Sequence, residues 1–252
     1  RFRVMLRDRS SGATREVAAG WDRSVDHFEF SRDSRRIYAT ADHLGQHPLW
    51  MIDLATDEAR PVQSEGTVTE FAVGSGSIVY GLSSIAGPVD YFRRDAAGGV
   101  ARLTSLNEAR LSGRRLGGSE QFTFPGWNAE PVHGYVVKPA DYVEGRKYPV
   151  AFIVHGGPQL SYGNGWSYRW NPQIYAGAGF AVVFIDFHGS TGYGQSFTDS
   201  ITGDWGGKPL VDLKLGLSAA ARKFPWLDGD RVCALGASYS GYMMNWIQGN
   251  WN

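Results

Sequence analysis

A single cysteine, Cys233, stands in the 252 residues, so no disulfide can close within the chain. No apolar run approaches the roughly 20 residues that a helix needs to cross a bilayer, which argues against a membrane-spanning helix. The first residues, Arg-Phe-Arg-Val-Met-Leu-Arg-Asp, lack the apolar core of a secretory signal and do not begin with methionine. Both ends read as cut from a longer protein, which leaves the compartment open between periplasm and cytoplasm. Charge of one sign is lacking too: lysine plus arginine equals aspartate plus glutamate at 25 each, so no nucleic acid or other polyanion is implied as a partner. The sequence does have apolar residues enough for a packed core, at 42%, and 33 glycines and nine tryptophans that suggest turn-rich β structure with aromatic packing. Cys233 lies in an apolar run and is expected to be a small buried core residue.

The first part of the chain repeats itself. At an offset of 41, Phe30 falls on Phe71, Ser34 on Ser75, Ile37 on Ile78, Trp50 on Tyr91 and Val62 on Leu103. Each unit reads as a strand at 28–30, a turn at 32–35, a strand at 36–40, a longer loop, a strand at 48–54, a turn and a last short strand. Four short strands in about 40 residues is the period of a β-propeller blade. Residues 1–17 resemble only the last part of such a unit. Two units do not close a propeller, so the expectation is its last blades, over 1–117.

The pattern changes after the polar, Gly- and Arg-rich stretch 107–118, and the second domain is expected over 118–252. Residues 120–124 and 133–138 alternate as an antiparallel hairpin around Pro125-Gly126. Residues 148–154 and 180–187 are continuous apolar runs, as in buried central strands. Short and long helices are predicted at 170–178 and 209–224; on the latter, Leu210, Leu213, Leu217 and Ala220 share a face. A turn at Asp228-Gly229-Asp230 leads into a buried strand at 232–235 and a helix from Tyr242. Strands alternating with helices indicate an α/β domain with a mostly parallel sheet.

Two segments carry chemistry. Gly236-Ala237-Ser238-Tyr239-Ser240-Gly241, between a strand and a helix, has the layout of a nucleophile elbow, with Ser238 exposed at the tip. The usual glycine two residues after the serine is here Ser240, and glycine arrives one residue later. Ser240 is a poor rival nucleophile, since its own flanking positions are Ser238 and Tyr242. His155-Gly156-Gly157-Pro158 follows an apolar strand and resembles the glycine-rich oxyanion loop of esterases and lipases. A tetrahedral oxyanion needs donors already in place. The backbone N–H groups of Gly157 and Tyr239 are the candidates. A serine also needs a histidine base and an acid that orients it. In α/β-hydrolases both follow the serine in sequence. All six histidines (His27, His43, His47, His133, His155 and His188) precede Ser238, and only 14 residues follow it, so none fits the base. His155 is expected to anchor the glycine loop, and His188 to lie in a loop open to substrate contact. Trp166, Tyr168, Trp170 and Tyr175 are read as loop or core packing, with a pocket beside the glycine loop as the alternative.

The ordered set of blades, His-Gly-Gly-Pro at 155–158, Gly-Ser-Thr-Gly-Tyr-Gly at 189–194, Gly-Asp-Trp-Gly-Gly at 203–207 and Gly-Ala-Ser-Tyr at 236–239 resembles the prolyl oligopeptidase family of serine peptidases, near its bacterial dipeptidyl-peptidases and acylaminoacyl-peptidases. The resemblance implies an α/β-hydrolase fold, here its truncated N-terminal part, preceded by the last blades of a propeller that restricts access to short peptides. It implies cleavage of an oligopeptide near its N-terminus through an acyl-enzyme on Ser238, with no cofactor and no metal, and a triad acid and base beyond residue 252. The segment alone is then expected to be inactive. Its unpaired sheet edges favour self-association, and homo-oligomer formation is left open. Two departures stand out: Ser240 for the usual glycine, and His188 where arginine is common. Two other readings are an esterase-type α/β-hydrolase, which uses the same parts, and a non-catalytic propeller that binds peptides.

Overall fold

The computed structural model describes residues 1–251. The described chain divides into two compact units. The first comprises Arg1–Glu108 with the short pieces Gly163–Gly165 and Gly192–Gln195, and the second is the remainder from Ala109. Among the described residues no helix is long and apolar enough to cross a membrane.

In the first unit, β1 (Met5–Arg7) and β2 (Thr14–Glu16) form an antiparallel ribbon. Its turn is held by Asp8, whose carboxylate accepts from the amides of Ser10 and Ser11 at 2.9 and 2.7 Å. Two four-stranded antiparallel sheets follow. The first is β3 (His27–Phe30), β4 (Arg36–Thr40), β5 (Leu49–Asp53) and β6 (Ala59–Gln63). The second is β7 (Thr67–Val73), β8 (Ser77–Ser84), β9 (Gly87–Asp95) and β10 (Val100–Arg102), again neighbours in chain order. The 41-residue offset lays Phe30 of β3 on Phe71 of β7, Ile37 of β4 on Ile78 of β8, and Trp50 of β5 on Tyr91 of β9. Strand alternation puts Ile37, Ala39 and Ile52 into one apolar cluster, and Leu49, Val68, Phe71, Ile78 and Tyr80 into another. The turns use short acidic side chains as backbone acceptors: Asp33 takes the Arg35 amide, and Asp53 takes those of Ala55 and Thr56.

The second unit is built on one mixed sheet. After the helical turn α1 (Glu108–Leu111) come β11 (Ser119–Pro125), β12 (Pro131–Val137), β13 (Tyr148–Ile153), α2 (Pro172–Gly177), β14 (Ala181–Asp186), α3 (Gln195–Asp199), α4 (Lys208–Lys223), β15 (Leu227–Leu235) and α5 (Tyr239–Asn250). The strand order is β11-β12-β14-β13-β15. The hairpin β11–β12 is antiparallel and joins β14 antiparallel, whereas β13 pairs in parallel with β14 on one side and β15 on the other. Every residue of β14 is buried: five apolar residues, as expected of a central strand, and Asp186 at its end. Asn171 caps α2 through its side chain, with Pro172 at the first helical position. Helix α4 packs Leu210, Leu213, Gly216 and Ala220 inward.

Three expectations change. Residues 228–230 do not precede the last strand as a turn. They lie inside β15, where Pro149 pairs with Asp228 but Val150 pairs with Val232, so the chain bulges. Among the described residues that strand is not buried either: it ends the sheet, and Cys233 is exposed. The last helix begins at Tyr239, not Tyr242, so its first turn starts directly after Ser238.

Gly216 lets α4 approach the sheet: a Cβ there would lie 2.1 Å from Ile185 Cδ1 and 2.6 Å from Phe124 Cζ. Gly216→Ala is expected to destabilise the protein by about 1–3 kcal/mol through overpacking. The open position Gly177, with nothing within 4 Å of its Cβ site, serves as the control. Urea unfolding of Gly216→Ala and Gly177→Ala checks this, and equal midpoints would refute it.

Candidate active site

The topology of the second unit selects where a site can form. From β13 the chain passes to β14 on one side, and from β14 it returns to β15 on the other. The loops leaving the carboxyl ends of β13 and β15 therefore diverge at a switch point, where open α/β sheets leave a crevice. His155-Gly156-Gly157 leaves β13, and Gly236-Ala237-Ser238 leaves β15.

Ser238 sits between β15 and α5 with φ 59° and ψ −128°, a left-handed backbone that residues bearing a Cβ seldom adopt. Its residue surface is exposed, and its side chain does not cap α5. The turn tolerates no bulk at position 236, where a Cβ would stand 2.4 Å from Ser240 Cβ. Ser240 itself is buried. Its hydroxyl donates to the Ala237 carbonyl at 2.6 Å and accepts from the Ala237 amide at 2.8 Å.

The glycine loop lies against this turn. A Cβ on Gly156 would be 3.4 Å from the Ala237 carbonyl oxygen and 3.6 Å from Ser238 Cβ. Gly157 has φ 116°, and a Cβ there would meet the Gln159 amide at 2.8 Å, so the bend suits glycine alone. Among the described residues neither the Gly157 nor the Tyr239 amide donates a hydrogen bond, which leaves both available to an incoming acceptor. His155 is buried and stacks on Phe187 with ring centres 4.2 Å apart. Its ring is within hydrogen-bond distance of Ser190 Oγ (2.9 Å) and of the Gly156 carbonyl (2.8 Å), so it fixes the loop where β13 ends. Burial pushes its pKa down, against the opposing charge of Asp186, and keeps the ring neutral. Asp186, at the end of β14, holds the other side of the loop through the Tyr162 amide at 2.9 Å and the Ser161 hydroxyl.

His188 is not open to substrate. It is buried, 4.1 Å from the Phe197 ring centre, with Nδ1 2.6 Å from Asp212 and Nε2 3.2 Å from Glu130. Asp212 is fully buried on α4 and also accepts from the His188 amide at 2.6 Å and the Trp127 amide at 2.7 Å. Burial works against the charged ring, but the hydrogen bond and charge of Asp212 outweigh it, Glu130 adds to them, and the His188 pKa is raised. This cluster ties the β11–β12 hairpin loop to the start of the 188–194 segment. The sequence did carry a signal for it: Asp212 falls on the apolar face of α4, between Leu210 and Leu213, where a lone carboxylate calls for a partner.

Segment 203–207 braces α5. The Tyr239 hydroxyl donates to the Trp205 carbonyl at 2.7 Å, and Trp246 Nε1 to that of Gly206 at 2.8 Å. A Cβ on Gly206 would stand 2.5 Å from the Trp246 ring. Of the aromatic group at 166–175, Tyr168 is 79% and Trp170 42% exposed, and Arg169 lies over the Trp170 ring at 5.5 Å. No histidine bonds to Ser238 among the described residues.

Residues 166–252 match the family profile described as "Prolyl oligopeptidase family". A dipeptidyl-peptidase 5 of Schizosaccharomyces pombe is 38% identical over 255 residues, covering 98% of this chain and 36% of that protein. A solved acylaminoacyl peptidase, in complex with Z-Gly-Gly-Phe-chloromethyl ketone, superposes with a TM-score of 0.85 at 25% identity, over 96% of this chain and 38% of the other. The acylaminoacyl peptidase of Pyrococcus horikoshii gives a TM-score of 0.84 at 24% identity, over 96% and 38%, a likeness of fold. The chain thus spans about a third of the length of the curated relatives it matches.

The raised pKa of His188 gives stability a pH dependence of known sign. A group whose folded pKa exceeds its unfolded value stabilises below the unfolded pKa, and that contribution is lost as pH rises through the folded one. The gap in melting temperature between wild type and His188→Gln should be largest near pH 6, about the ordinary histidine range, and shrink toward alkaline pH. A gap constant with pH would show that the ring does not titrate in this way.

Proposed function

The chain belongs to the prolyl oligopeptidase family, and on that premise we propose that it is the part of a serine peptidase that carries the nucleophile, Ser238. The reading rests above all on one observation. An exposed serine is held at φ 59° on a strand-to-helix turn, against a His-Gly-Gly loop at the sheet's switch point. In this reading residues 1–117 are the last blades of a β-propeller, and 118–252 are the N-terminal portion of an α/β-hydrolase domain. The stretch 107–118 is the connection between them.

The chemistry runs as follows. Ser238 Oγ attacks the scissile carbonyl while a base takes its proton. The carbonyl oxygen becomes an oxyanion, which the Gly157 and Tyr239 amides stabilise. The C–N bond then breaks, the amine leaves with the proton, and the acyl group stays on Ser238 until water releases it. The Tyr239 amide opens the first turn of α5, so the helix N-terminus also favours the negative charge. The base and acid come from outside these residues: His155 is engaged at the glycine loop and His188 at Asp212. The substrate is a short peptide cut near its N-terminus, in the manner of the dipeptidyl- and acylaminoacyl-peptidases the chain resembles. Ester hydrolysis uses the same groups, so the ratio of peptide-arylamide to aryl-ester turnover decides between a peptidase and an esterase.

The test is labelling of the full-length protein with a fluorophosphonate and location of the adduct by mass spectrometry. An adduct on Ser238 is expected, together with a fall in kcat of about 10⁴- to 10⁶-fold in Ser238→Ala. No adduct on folded protein would refute the assignment. Residues 1–252 alone are expected to turn over a peptide-arylamide far more slowly than the full-length protein. An ordinary enzymatic rate, abolished in Ser238→Ala, would place a base within them.

A further inference from the structure

We propose that Ser240 is a positioning residue for Ser238, and that its hydroxyl, not only its small size, sets the reactivity of the nucleophile turn. The proposal rests on the assignment of Ser238 as nucleophile. Where the family pattern has a glycine, this chain has a side chain that is 1% exposed and bonded twice to one residue. The Ala237 amide donates to Ser240 Oγ at 2.8 Å, and Ser240 Oγ donates to the Ala237 carbonyl at 2.6 Å. The Ser240 amide reaches the same carbonyl at 3.2 Å. Three bonds thus close residues 237–240 into one turn, with Ser238 at its tip.

The consequence runs through Ala237. Its carbonyl is the atom nearest to where a Cβ of Gly156 would stand, at 3.4 Å, so its direction sets how closely the glycine loop approaches Ser238. The Tyr239 amide, the first of α5, has no acceptor among the described residues, as a helix N-terminus leaves it, and the Ser240 bonds hold the adjoining Ala237 peptide group in place. An amide free at that point is what an oxyanion requires. A glycine at 240 would keep the backbone bond but lose both hydroxyl bonds, freeing the Ala237 peptide group to rotate. Ser238, already in a disfavoured backbone region, would then relax. The pattern's other glycine, at position 236, becomes strictly required, since a Cβ there would collide with Ser240 Cβ at 2.4 Å. Serine at 240 and glycine at 236 therefore fit together as a pair.

The experiment compares Ser240→Ala, Ser240→Gly and Ser240→Cys in the full-length protein. It measures kcat and KM on a peptide-arylamide, the second-order rate of fluorophosphonate labelling at Ser238, and the melting temperature. Cysteine keeps the shape and a weak donor and acceptor. Alanine and glycine should lower both kcat and the labelling rate, on the order of ten- to a hundredfold, with KM little changed. Cysteine should recover part of that loss. Labelling of Ser238 that is insensitive to all three variants would overturn this proposal alone, even if the melting temperature falls, since a purely structural role predicts that pattern. Failure of folded wild type to label at Ser238 would overturn the nucleophile assignment and this proposal together.

Discussion

A residue with a Cβ held at φ 59° and ψ −128° costs about 1–3 kcal/mol relative to ordinary backbone. Such a conformation lasts only where its surroundings leave no lower alternative, and the second unit supplies those surroundings from three directions. Below the turn, β15 fixes the chain through parallel pairing with β13. Ahead of it, α5 begins at once and is pinned by Trp205 and Gly206 through Tyr239 and Trp246. Beside it, Gly156 brings the loop from β13 into van der Waals range. The hydrogen bonds of Ser240 close the turn from within.

Strand β14 contributes nothing to the turn directly, yet its end organises the neighbouring loops. Asp186 holds Ser161 and Tyr162, two residues later His188 engages Asp212, and Ser190 meets His155. Each is a polar group buried against the apolar sheet, and each is satisfied by a partner far away in sequence, as burial demands. The two histidines that border this strand end have opposite electrostatics. His155 has mainly neutral partners and titrates low, whereas His188 lies between two carboxylates and titrates high. Neither is disposed as a catalytic base.

The elements with local signatures were legible before the structure. Continuous apolar runs marked β13 and β14, helical periodicity marked α4, and the 41-residue repeat marked the strands of the two four-stranded sheets. The strand–Ser–helix order marked the turn at Ser238. What stayed hidden depends on tertiary position. Residues 232–235 look apolar enough to be buried, but burial depends on a strand's neighbours, and among the described residues β15 has a partner on one side, β13. The 228–230 segment has turn residues, and the bulge that absorbs them is visible only against the register of β13. His188 does lie in the loop after β14, but its burial was hidden because its partners, Glu130 and Asp212, are 58 and 24 residues away. Ser240 seemed a flaw in a motif, since sequence shows that glycine is missing but not which bonds replace it.

The pairing of β13 with β15 sets when the serine can acquire its geometry. Ile153 and Leu235 are direct partners in parallel strands, yet all of α2, β14, α3 and α4 lies between them in the chain. Contacts this distant form slowly, because the intervening loop must be closed before its enthalpy is gained. Bringing His155-Gly156-Gly157 beside Gly236-Ala237-Ser238 therefore carries the closure cost of all the chain between them. The disfavoured backbone at Ser238 is thus a property of the assembled sheet and not of the local sequence.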